Sequence, residues 1–216
     1  MKVRIKFTKT GAMKFVGHLD TMRYFQKAIR RAELPVAFSG GYSPHMIMSF
    51  ANPLGIGITS EGEYFDIEVH STESGAVMLE KLNQENVEGV EILSYKQLPD
   101  GAKNAMSIVA GADYFVYFEE LTKEIVESFY KQDSINILKK TKRSEKTVDI
   151  KPMIHELRRE SEGIFMKVAQ GSAANLKPDL VMQSLSEFAG ITLPEFVQYA
   201  GIEALKNGDE DIAMMN

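Results

Sequence analysis

The sequence contains no cysteine and no tryptophan among its 216 residues. Without cysteine, the chain cannot form disulfides, thiolate zinc sites or cysteine-ligated iron–sulfur clusters, and it has no cysteine nucleophile. It also lacks any run close to the roughly 18 apolar residues that a membrane-spanning helix requires. Its first residues, MKVRIKFTKTG, have no apolar core of the kind found in signal peptides. We therefore expect a cytoplasmic protein that makes no membrane contact.

Positive charge is concentrated near the amino terminus, although the net charge of the chain is -5. Residues 1–50 hold nine Lys and Arg against two acidic residues, so the remainder of the chain is strongly acidic. A basic segment on an acidic body predicts either a local site for an anionic partner or internal pairing of oppositely charged faces.

Periodicity in residues 1–100 predicts one βαββαβ unit. Apolar and charged residues alternate in residues 2–7, as in a strand. In HLDTMRYFQKAIRRAELP the apolar residues recur every three or four positions, as in a helix that Gly17 can cap. The later segments, in order, are the strand MIMSF, the strand EYFDIEVH, the helix SGAVMLEKLNQE and the strand VEILSYKQL. This order is the ferredoxin-like pattern.

Residues 105–208 repeat the order less regularly. The strand-like segments are DYFVYFEE, SINILKK, TVDIKPMIHE and GIFMKVAQG, the helical ones are LTKEIVESFYKQ and KPDLVMQSLSEFAG, and PEFVQYAGIEAL lies at the end. The middle holds one strand-like segment more than the pattern requires. We predict an α+β protein of two tandem ferredoxin-like domains, residues 1–100 and 105–208, separated at Pro99–Asn104 and followed by a frayed tail at 209–216.

The usual ferredoxin-like strand order, 4-1-3-2, would place the first strand beside EYFDIEVH. Its outward basic residues, Lys2, Arg4 and Lys6, would then face a strand that carries Asp66 and Glu68. Opposite charges across a strand pair stabilise a sheet by about 0.2 to 1 kcal/mol each. We therefore predict that these cations are neutralised within the fold or lie where the two domains meet.

The first predicted helix carries a row of cations on the side away from its apolar stripe. These residues are Arg23, Lys27, Arg30 and Arg31. Carboxylates that could neutralise the row occur only near its ends, at Asp20 and Glu33. A solvated helix face explains such a row, and contact with a phosphate backbone or an acidic protein surface is the alternative that the shortage of carboxylates favours.

A second basic cluster lies in KKTKRSEKT, at a predicted hairpin. Its members include Lys139, Lys140, Lys142 and Arg143. A charged hairpin tip that resists aggregation explains this cluster equally well. Together, the two clusters motivate the hypothesis that the protein binds RNA or another polyanion.

The stretch SGGYSPHMIMSFANPLGIG, residues 39–57, follows the basic helix. It is not a nucleotide fingerprint, because neither of its glycine-rich segments opens a helix or continues into Gly-Lys-Ser/Thr. Its glycines and prolines instead suit turns on either side of MIMSF. Turn chemistry does not explain Tyr42, whose ring is predicted to stack on a base beside the basic helix. Together with Ser43 and His45, it forms the predicted binding turn.

Four histidines permit acid–base chemistry, but no pair has the spacing of a metal-ligand motif, so we predict no metal site. His18 or His45 acting as a general acid or base in RNA cleavage is an alternative to their simpler role of bracing turns. Because His18 begins the basic helix, the helix terminus is expected to lower its pKa.

The run that includes HLD, the helix RYFQKAIRRAELP, the SGGYSPH turn, the SFANPLGIG loop and SEGEY resembles the N-terminal half of the radical-SAM-linked proteins. The resemblance is dense over residues 3–70, and VDIKPMI and KPDLVMQ also fit it. Gly17 departs from the pattern, where a serine cap is expected. Such proteins are encoded beside a radical SAM protein or fused to one, so the resemblance implies a radical SAM enzyme as partner. A cysteine-free chain cannot itself hold that enzyme's iron–sulfur cluster.

The leading hypothesis is a non-catalytic accessory protein, without a cofactor of its own, that acts with a separate radical SAM enzyme and binds RNA or another polyanion. The basic helix would contact phosphates, while Tyr42, Ser43 and His45 would supply stacking and polar contacts. One alternative is a metal-independent endoribonuclease, since tandem ferredoxin-like domains resemble the architecture of CRISPR-associated RNA-processing proteins. The other is a protein-docking module that binds no nucleic acid.

Overall fold

The first half of the chain forms four strands and two helices in a computed structural model that describes residues 1–140, 145–206 and 210–211. Their order is β1 (Lys2–Lys9), α1 (His18–Arg31), β2 (Met48–Phe50), β3 (Thr59–Glu68), α2 (Gly75–Gln84) and β4 (Ile92–Gln97). A 3-10 helix at Gly11–Phe15 joins β1 to α1. These are the strands and α-helices that the periodicity predicts, except that β3 already begins at Thr59.

Helix α1 begins and packs largely as its sequence predicts. Gly17 is the N-cap residue, and the helix buries Phe25 and Ile29 against the sheet. Leu19 is the first apolar residue of the helical sequence pattern, but its side chain is exposed. It lies in the first turn, beyond the part of the helix that covers the sheet.

The core of the first half is built around four phenylalanine rings, those of Phe7, Phe25, Phe50 and Phe65. The centroids of Phe7 and Phe25 are 4.6 Å apart, and those of Phe50 and Phe65 are 5.2 Å apart. Tilted and edge-on aromatic pairs at these distances add about 0.5 to 1.5 kcal/mol each beyond their buried area. The cluster joins α1 to β1, β2 and β3.

Strands of the first half are ordered β4-β1-β3, with β2 also paired to β3. The predicted position of β1 beside β3 is confirmed, because Lys2 pairs with Glu68 and Arg4 with Asp66 in an antiparallel register. Successive side chains of a strand point to opposite faces, so these charged residues lie on the face away from α1 and α2.

The second half contains a short helix, two longer helices and seven strands. They are α3 (Ala105–Ile108), β5 (Val109–Tyr117), α4 (Lys123–Tyr130), β6 (Asn136–Lys140), β7 (Glu145–Asp149), β8 (Ile154–Arg159), β9 (Gly163–Ala169), α5 (Pro178–Ala189), β10 (Gln198–Lys206) and β11 (Glu210–Asp211). β6 and β7 form a separate two-stranded hairpin, as predicted for KKTKRSEKT. Within the predicted tail, β11 pairs with β10, and residues 209 and 212–216 lie outside the described part.

The segment TVDIKPMIHE, predicted as one strand-like unit, forms parts of two strands. A 3-10 turn at Lys151–Met153 separates β7 from β8. Pro152 lies at the start of that turn, where its fixed φ and missing amide hydrogen interrupt a strand ladder. The extra strand-like segment of the sequence pattern, SINILKK, is therefore β6, which pairs with β7 in the separate hairpin.

One large sheet runs through both halves of the chain. Its order is β4-β1-β3-β10-β5-β9-β8, and every neighbouring pair is antiparallel except β3 and β10. The protein is thus α+β with a mostly antiparallel sheet, whereas two separate domains would have separate sheets. The two predicted domains share one sheet because β10 pairs with β5 along one edge and with the first residues of β3 along the other.

The junction between β3 and β10, here called the seam, requires two glycines. A Cβ on Gly62 would lie 2.4 Å from the carbonyl oxygen of Ile202, and one on Gly201 would lie 2.9 Å from the Ser60 hydroxyl oxygen. Beside the seam, Glu203 accepts hydrogen bonds from the Lys6 ammonium group and the Tyr64 hydroxyl. Backbone contact and charge pairing therefore both join the two halves.

Arg4 and Asp66 form a buried ion pair on the sheet face that carries α3. Both side chains are only 3% exposed. Arg4 donates from Nε to one carboxylate oxygen of Asp66 at 2.8 Å and from Nη2 to the other at 3.0 Å. Arg4 Nη2 also donates to the carbonyl of Lys103, and the amide of Ala105 donates to Asp66 at 2.7 Å. The pair therefore anchors the connection between the halves, a larger role than a solvent-facing charge pair would have.

Replacing Asp66 with alanine is expected to lower the free energy of unfolding by about 3 to 5 kcal/mol, because Arg4 would remain buried without a counter-charge. Urea unfolding of Asp66→Ala measures this change. Asp20→Ala is the matched control, since Asp20 binds Arg23 at 2.9 Å with both side chains exposed. Exposed pairs contribute about 1 kcal/mol or less. Equal losses in the two variants would contradict the assignment.

Candidate functional site

A cleft of about 850 Å³ lies between the two halves of the chain, on the face of the sheet that carries α1 and α5. We call it the central cleft. Its walls come from residues 14–15, 52–53 and 55–58 of the first half and from residues 175–179 and 195–199 of the second. Tyr114 and Gln170 also line it. Small-molecule sites in proteins commonly have volumes of about 300 to 1,000 Å³.

The loop at residues 52–58 forms one wall of the central cleft. The amide of Gly57 donates to the carbonyl of Lys14 at 2.8 Å, which holds the loop against the 3-10 helix. Gly57 has a φ of 89°, a left-handed conformation that glycine adopts without steric cost. Leu54 and Ile58 pack against the core of the second half. The ANPLGIG segment therefore bridges the two halves.

Apolar side chains surround the mouth of the central cleft. Phe15, Ile56 and Phe196 are 65%, 69% and 86% exposed, respectively. Each belongs to a different segment of the chain, and all three line the cleft. Grouped exposed apolar residues on a protein surface commonly mark binding sites.

The floor of the central cleft is polar. Tyr114 is 4% exposed and Gln170 is 8% exposed. Gln170 Nε2 donates to the Tyr114 hydroxyl at 3.0 Å. Burial, with a smaller contribution from the nearby Glu63 carboxylate, raises the pKa of Tyr114 well above its usual range. The hydroxyl therefore stays protonated and is available as a donor.

Charged groups of both signs lie on the walls of the central cleft. Lys14 and Lys177 are opposed by Asp179 and Glu195. Burial, with a smaller contribution from the negative charge of Asp179, raises the pKa of Tyr199 to about 12. The cleft as a whole therefore has no excess of positive charge to attract a small anion.

Three titratable side chains, those of Lys9, His18 and Glu63, lie together beside the central cleft. They line a space of only about 10 Å³, which shares Asn52 and Pro53 with the cleft. A space of this size holds about one water molecule. The group is thus an internal polar cluster next to the cleft.

Contacts within the core fix the two basic members of this cluster. The Lys9 ammonium group donates to the carbonyl oxygen of Val16 at 2.6 Å. The His18 ring packs edge-on against Phe50, with ring centroids 5.1 Å apart. Both side chains are therefore held in place by contacts with other parts of the chain.

Burial dominates the protonation of this cluster. It raises the pKa of Glu63 to about 7, although a hydrogen bond from Ser60 and the charge of Lys9 oppose the change. It lowers the pKa of Lys9, with Glu63 opposing. Burial and then Lys9 also lower the pKa of His18. This direction agrees with the prediction for His18, with burial as the main cause and Lys9 as the second.

The predicted cationic row lies on the outer face of α1. Its members, Arg23, Lys27, Arg30 and Arg31, are all exposed. Two of them are paired: Arg23 with Asp20, and Arg31 with Glu85, which follows α2, at 2.8 Å. The sequence did not reveal the second pair because Glu85 is far from Arg31 along the chain.

The predicted binding turn lies at the edge of the sheet beyond β2. Tyr42 and Ser43 are exposed. The exposed His45 is bound to Ser39, with Ser39 Oγ 2.8 Å from the ring Nδ1. His45 shares a cavity of about 350 Å³ with Lys2 and Glu68, whose side chains lie on the sheet face away from α1. The cavity that His45 lines therefore opens on the face of the sheet opposite the basic helix.

The two candidate histidines lie on opposite faces of the sheet. The half-buried His18, the first residue of α1, packs its ring against Phe50, whereas His45 lies with Lys2 and Glu68 on the other face. Consequently, they cannot act together as acid and base on one phosphate group.

The second predicted basic cluster falls at the β6–β7 hairpin. The backbone of Lys139 pairs with that of Lys146, and Lys140 pairs with Glu145. Lys142 and Arg143 lie outside the described residues.

The described residues contain no group of three or more His, Asp or Glu side chains placed to hold a metal ion. Over the same residues, the helices are too short or too polar to cross a bilayer.

Sequence reasoning missed the residues of the central cleft. Tyr114 lies in the middle of β5, and Gln170 follows the last residue of β9. The two are far apart in sequence, and the pairing of β5 with β9 brings them together. The ANPLGIG loop was interpreted only as a turn. Its exposed Ile56, between two glycines, was the available signal of a binding wall.

Changing Glu63 to glutamine is expected to stabilise the protein above neutral pH. The folded-state pKa of about 7 exceeds the ordinary value of 4.5, so the folded state binds this proton more tightly than the unfolded state. The resulting stability is present below about pH 4.5 and is lost as the pH rises through about 7. We expect Glu63→Gln to raise the free energy of unfolding by about 1 to 3 kcal/mol at pH 8, with little difference from the unmodified protein near pH 4.5.

Urea unfolding at a series of pH values measures this difference. Glu61→Gln is the control, because Glu61 is in the same strand and its side chain is exposed. If the stability curves of Glu63→Gln and the unmodified protein stay parallel across this pH range, Glu63 is not a buried titrating group.

The basic helix, the loop at residues 52–58 and both floor residues fall within the part of the chain that matches a known family. The match covers residues 2–178, and the family is described as "Uncharacterized protein conserved in bacteria (DUF2344)". No curated protein sequence matches the chain. Because the match covers well over half of the chain, the protein belongs to the DUF2344 family of uncharacterized proteins conserved in bacteria.

Proposed function

We propose that the protein is a non-catalytic binding protein that holds RNA, or another anionic macromolecule, along the outer face of α1. The observation that carries this proposal is the exposed cationic row of that helix. Lys27 and Arg30 make no ion pair with any carboxylate in the described residues. Their charges are therefore available to phosphate groups.

The geometry of α1 suits a phosphate backbone. With a rise of about 1.5 Å per residue, the row from Arg23 to Arg31 spans about 12 Å of helix. Nucleic-acid phosphates in a stacked strand are separated by about 3.4 Å along the axis, so the row can meet several of them. Arg23 and Arg31 are held by carboxylates that leave both side chains exposed. They can still contribute donors to the edge of such a contact.

The topology supports an interpretation of the chain as two fused ferredoxin-like units. In the first half β1 lies between β3 and β4 with β2 beyond β3, and in the second half β5 lies between β9 and β10 with β8 beyond β9. Both arrangements follow the ferredoxin-like order 4-1-3-2. The likeness to RNA-processing proteins is a fold-level analogy and identifies no substrate.

The proposed protein partner is a radical SAM enzyme, and this part rests on the sequence resemblance alone. A cysteine-free accessory chain would hold the RNA while the enzyme supplies the iron–sulfur cluster. Protein docking without RNA is the competing function, since an acidic protein surface would suit the same cationic row. The nuclease alternative would use His18 or His45 alone, because the two lie on opposite faces of the sheet.

Neutralising Lys27 and Arg30 together is expected to weaken RNA binding. For single strands, each lost phosphate contact reduces the slope of log affinity against log salt by about 0.7, so Lys27→Gln with Arg30→Gln should reduce it by about 1.4. Fluorescence anisotropy of a labelled single-stranded RNA, titrated with protein between about 50 and 200 mM salt, measures this slope.

A matched control removes the same charge from a different helix. Lys123 at the start of α4 and Lys131, the residue that caps its end, are exposed and lie near Glu127. Lys123→Gln with Lys131→Gln should leave the salt slope unchanged. Absence of RNA binding by the unmodified protein at low salt would rule out the proposal. If both double variants reduce the salt slope equally, RNA is attracted by general positive charge and is not bound at a site on α1.

A further inference from the structure

We propose that the central cleft binds a nucleobase, namely an unstacked base of the RNA strand whose phosphates lie along α1. The inference rests on the proposed function for the identity of the strand, and on the cleft itself for the base. Sequence-specific proteins commonly bind single-stranded RNA by accepting splayed bases between aromatic side chains.

The walls of the central cleft supply stacking surfaces. Phe15 and Phe196 stand at the mouth with most of their ring surface exposed, and Tyr199 lies further in and is partly buried. Base–aromatic stacking contributes about 1 to 3 kcal/mol per base. The volume of about 850 Å³ accommodates a nucleoside without any rearrangement of the chain.

The floor supplies hydrogen bonds suited to the edge of a base. Tyr114 and Gln170 are buried, and their side chains are bonded to each other by a single hydrogen bond of 3.0 Å. In the part of the chain that the structure describes, these two side chains make no other hydrogen bond. The Tyr114 hydroxyl can therefore donate a hydrogen bond to a ligand in the cleft, and the Gln170 amide can make further hydrogen bonds there. A base edge, with its adjacent donors and acceptors, would satisfy both.

Other ligand classes fit less well. A lipid chain would leave the Tyr114 hydroxyl and the Gln170 amide unsatisfied, which costs about 1 to 3 kcal/mol per group. A small anion would meet Asp179 and Glu195 as well as Lys14 and Lys177. A neutral, planar heterocycle matches both the aromatic mouth and the uncharged polar floor.

The position of the central cleft connects it with the cationic row. Lys14 and Phe15 line the cleft, and the cleft-lining Ile56 lies against Gly17, the N-cap of α1. Arg23 is only five residues beyond His18, or about 7.5 Å along the helix. A strand that lies on α1 and continues past its amino-terminal end would therefore carry its next base to the mouth of the cleft.

A double comparison tests the inference. Affinities are measured for a single-stranded RNA and for a strand of equal length in which abasic residues replace the bases, each with the unmodified protein and with Phe196→Ala. We expect Phe196→Ala to weaken RNA binding about tenfold through the loss of one stacking contact, without a change in the salt slope. It should not weaken binding of the abasic strand, because that strand has no base to lose. The aromatic control is Phe188→Ala, since Phe188 is exposed on α5 and does not line the central cleft.

Free nucleosides provide a second measurement that does not depend on phosphate contacts. Saturation-transfer NMR with adenosine, guanosine, cytidine and uridine should detect binding of at least one of them to the full chain. Gln170→Leu should abolish that signal, and its thermal unfolding shows whether the variant is folded. Phe196→Ala should also reduce the signal. Because Phe196 is exposed, this variant tests the site without changing a buried residue such as Gln170.

The outcomes separate this inference from the proposed function. Salt-dependent RNA binding that is insensitive to Phe196→Ala and equal for abasic strands, together with no nucleoside signal, overturns the base site and leaves the polyanion function intact. A nucleoside signal that requires Gln170 and Phe196, in a protein that does not hold RNA, supports the base site and overturns the polyanion function. Binding of nucleosides that both variants leave unchanged places the base elsewhere and overturns the inference.

Discussion

The close approach of β3 and β10 at the seam is the constraint on which the rest of the structure depends. Gly62 and Gly201 permit this contact, because a side chain at either position would collide with the opposite strand or with Ser60. Glu203 then pairs with Lys6 and Tyr64 across the junction. Since the seam fixes how the two sets of helices face each other, it also sets the width of the central cleft between them. The geometry of any ligand site there thus depends on glycines that would not contact the ligand.

Most of the basic charge near the amino terminus is engaged within the fold. Arg4 is bound to Asp66, Lys6 to Glu203, and Lys9 to a backbone carbonyl. Arg23 is bound to Asp20 and Arg31 to Glu85. Lys2 donates to the carbonyl of Ala102. Among the described residues, those of the nine cations without a carboxylate or carbonyl partner are Lys14, Lys27 and Arg30. Charge asymmetry in the sequence thus largely reflects internal pairing, and the surface formed by unpaired cations is smaller than the composition indicates.

Local patterns predicted the individual elements well, and the errors lie where distant segments meet. The strands and helices of the first half followed from periodicity, because each segment turns regularly spaced apolar residues toward the core. The placement of β1 beside β3 followed from the ferredoxin-like strand order. The shared sheet did not follow, since the pairing of β10 with β3 involves only two residue pairs near Ser60 and Gly201, and no periodic signal marks it. Tyr114 and Gln170 were missed for the same reason. Polar side chains in strands do not reveal from sequence alone whether they face solvent or a cleft.

The seam also determines when the protein can complete its fold during synthesis. Lys6 and Glu203 are 197 positions apart, so the ribosome must produce nearly all of the described chain before this pair can form. Until β10 arrives, the beginning of β3 lacks this neighbour and the edge of β5 is unpaired. Contacts of such high sequence separation form slowly, and unpaired strand edges on incomplete chains are prone to aggregate. The central cleft, which is lined by residues 195–199, therefore cannot form until the last strands of the described chain have been synthesised.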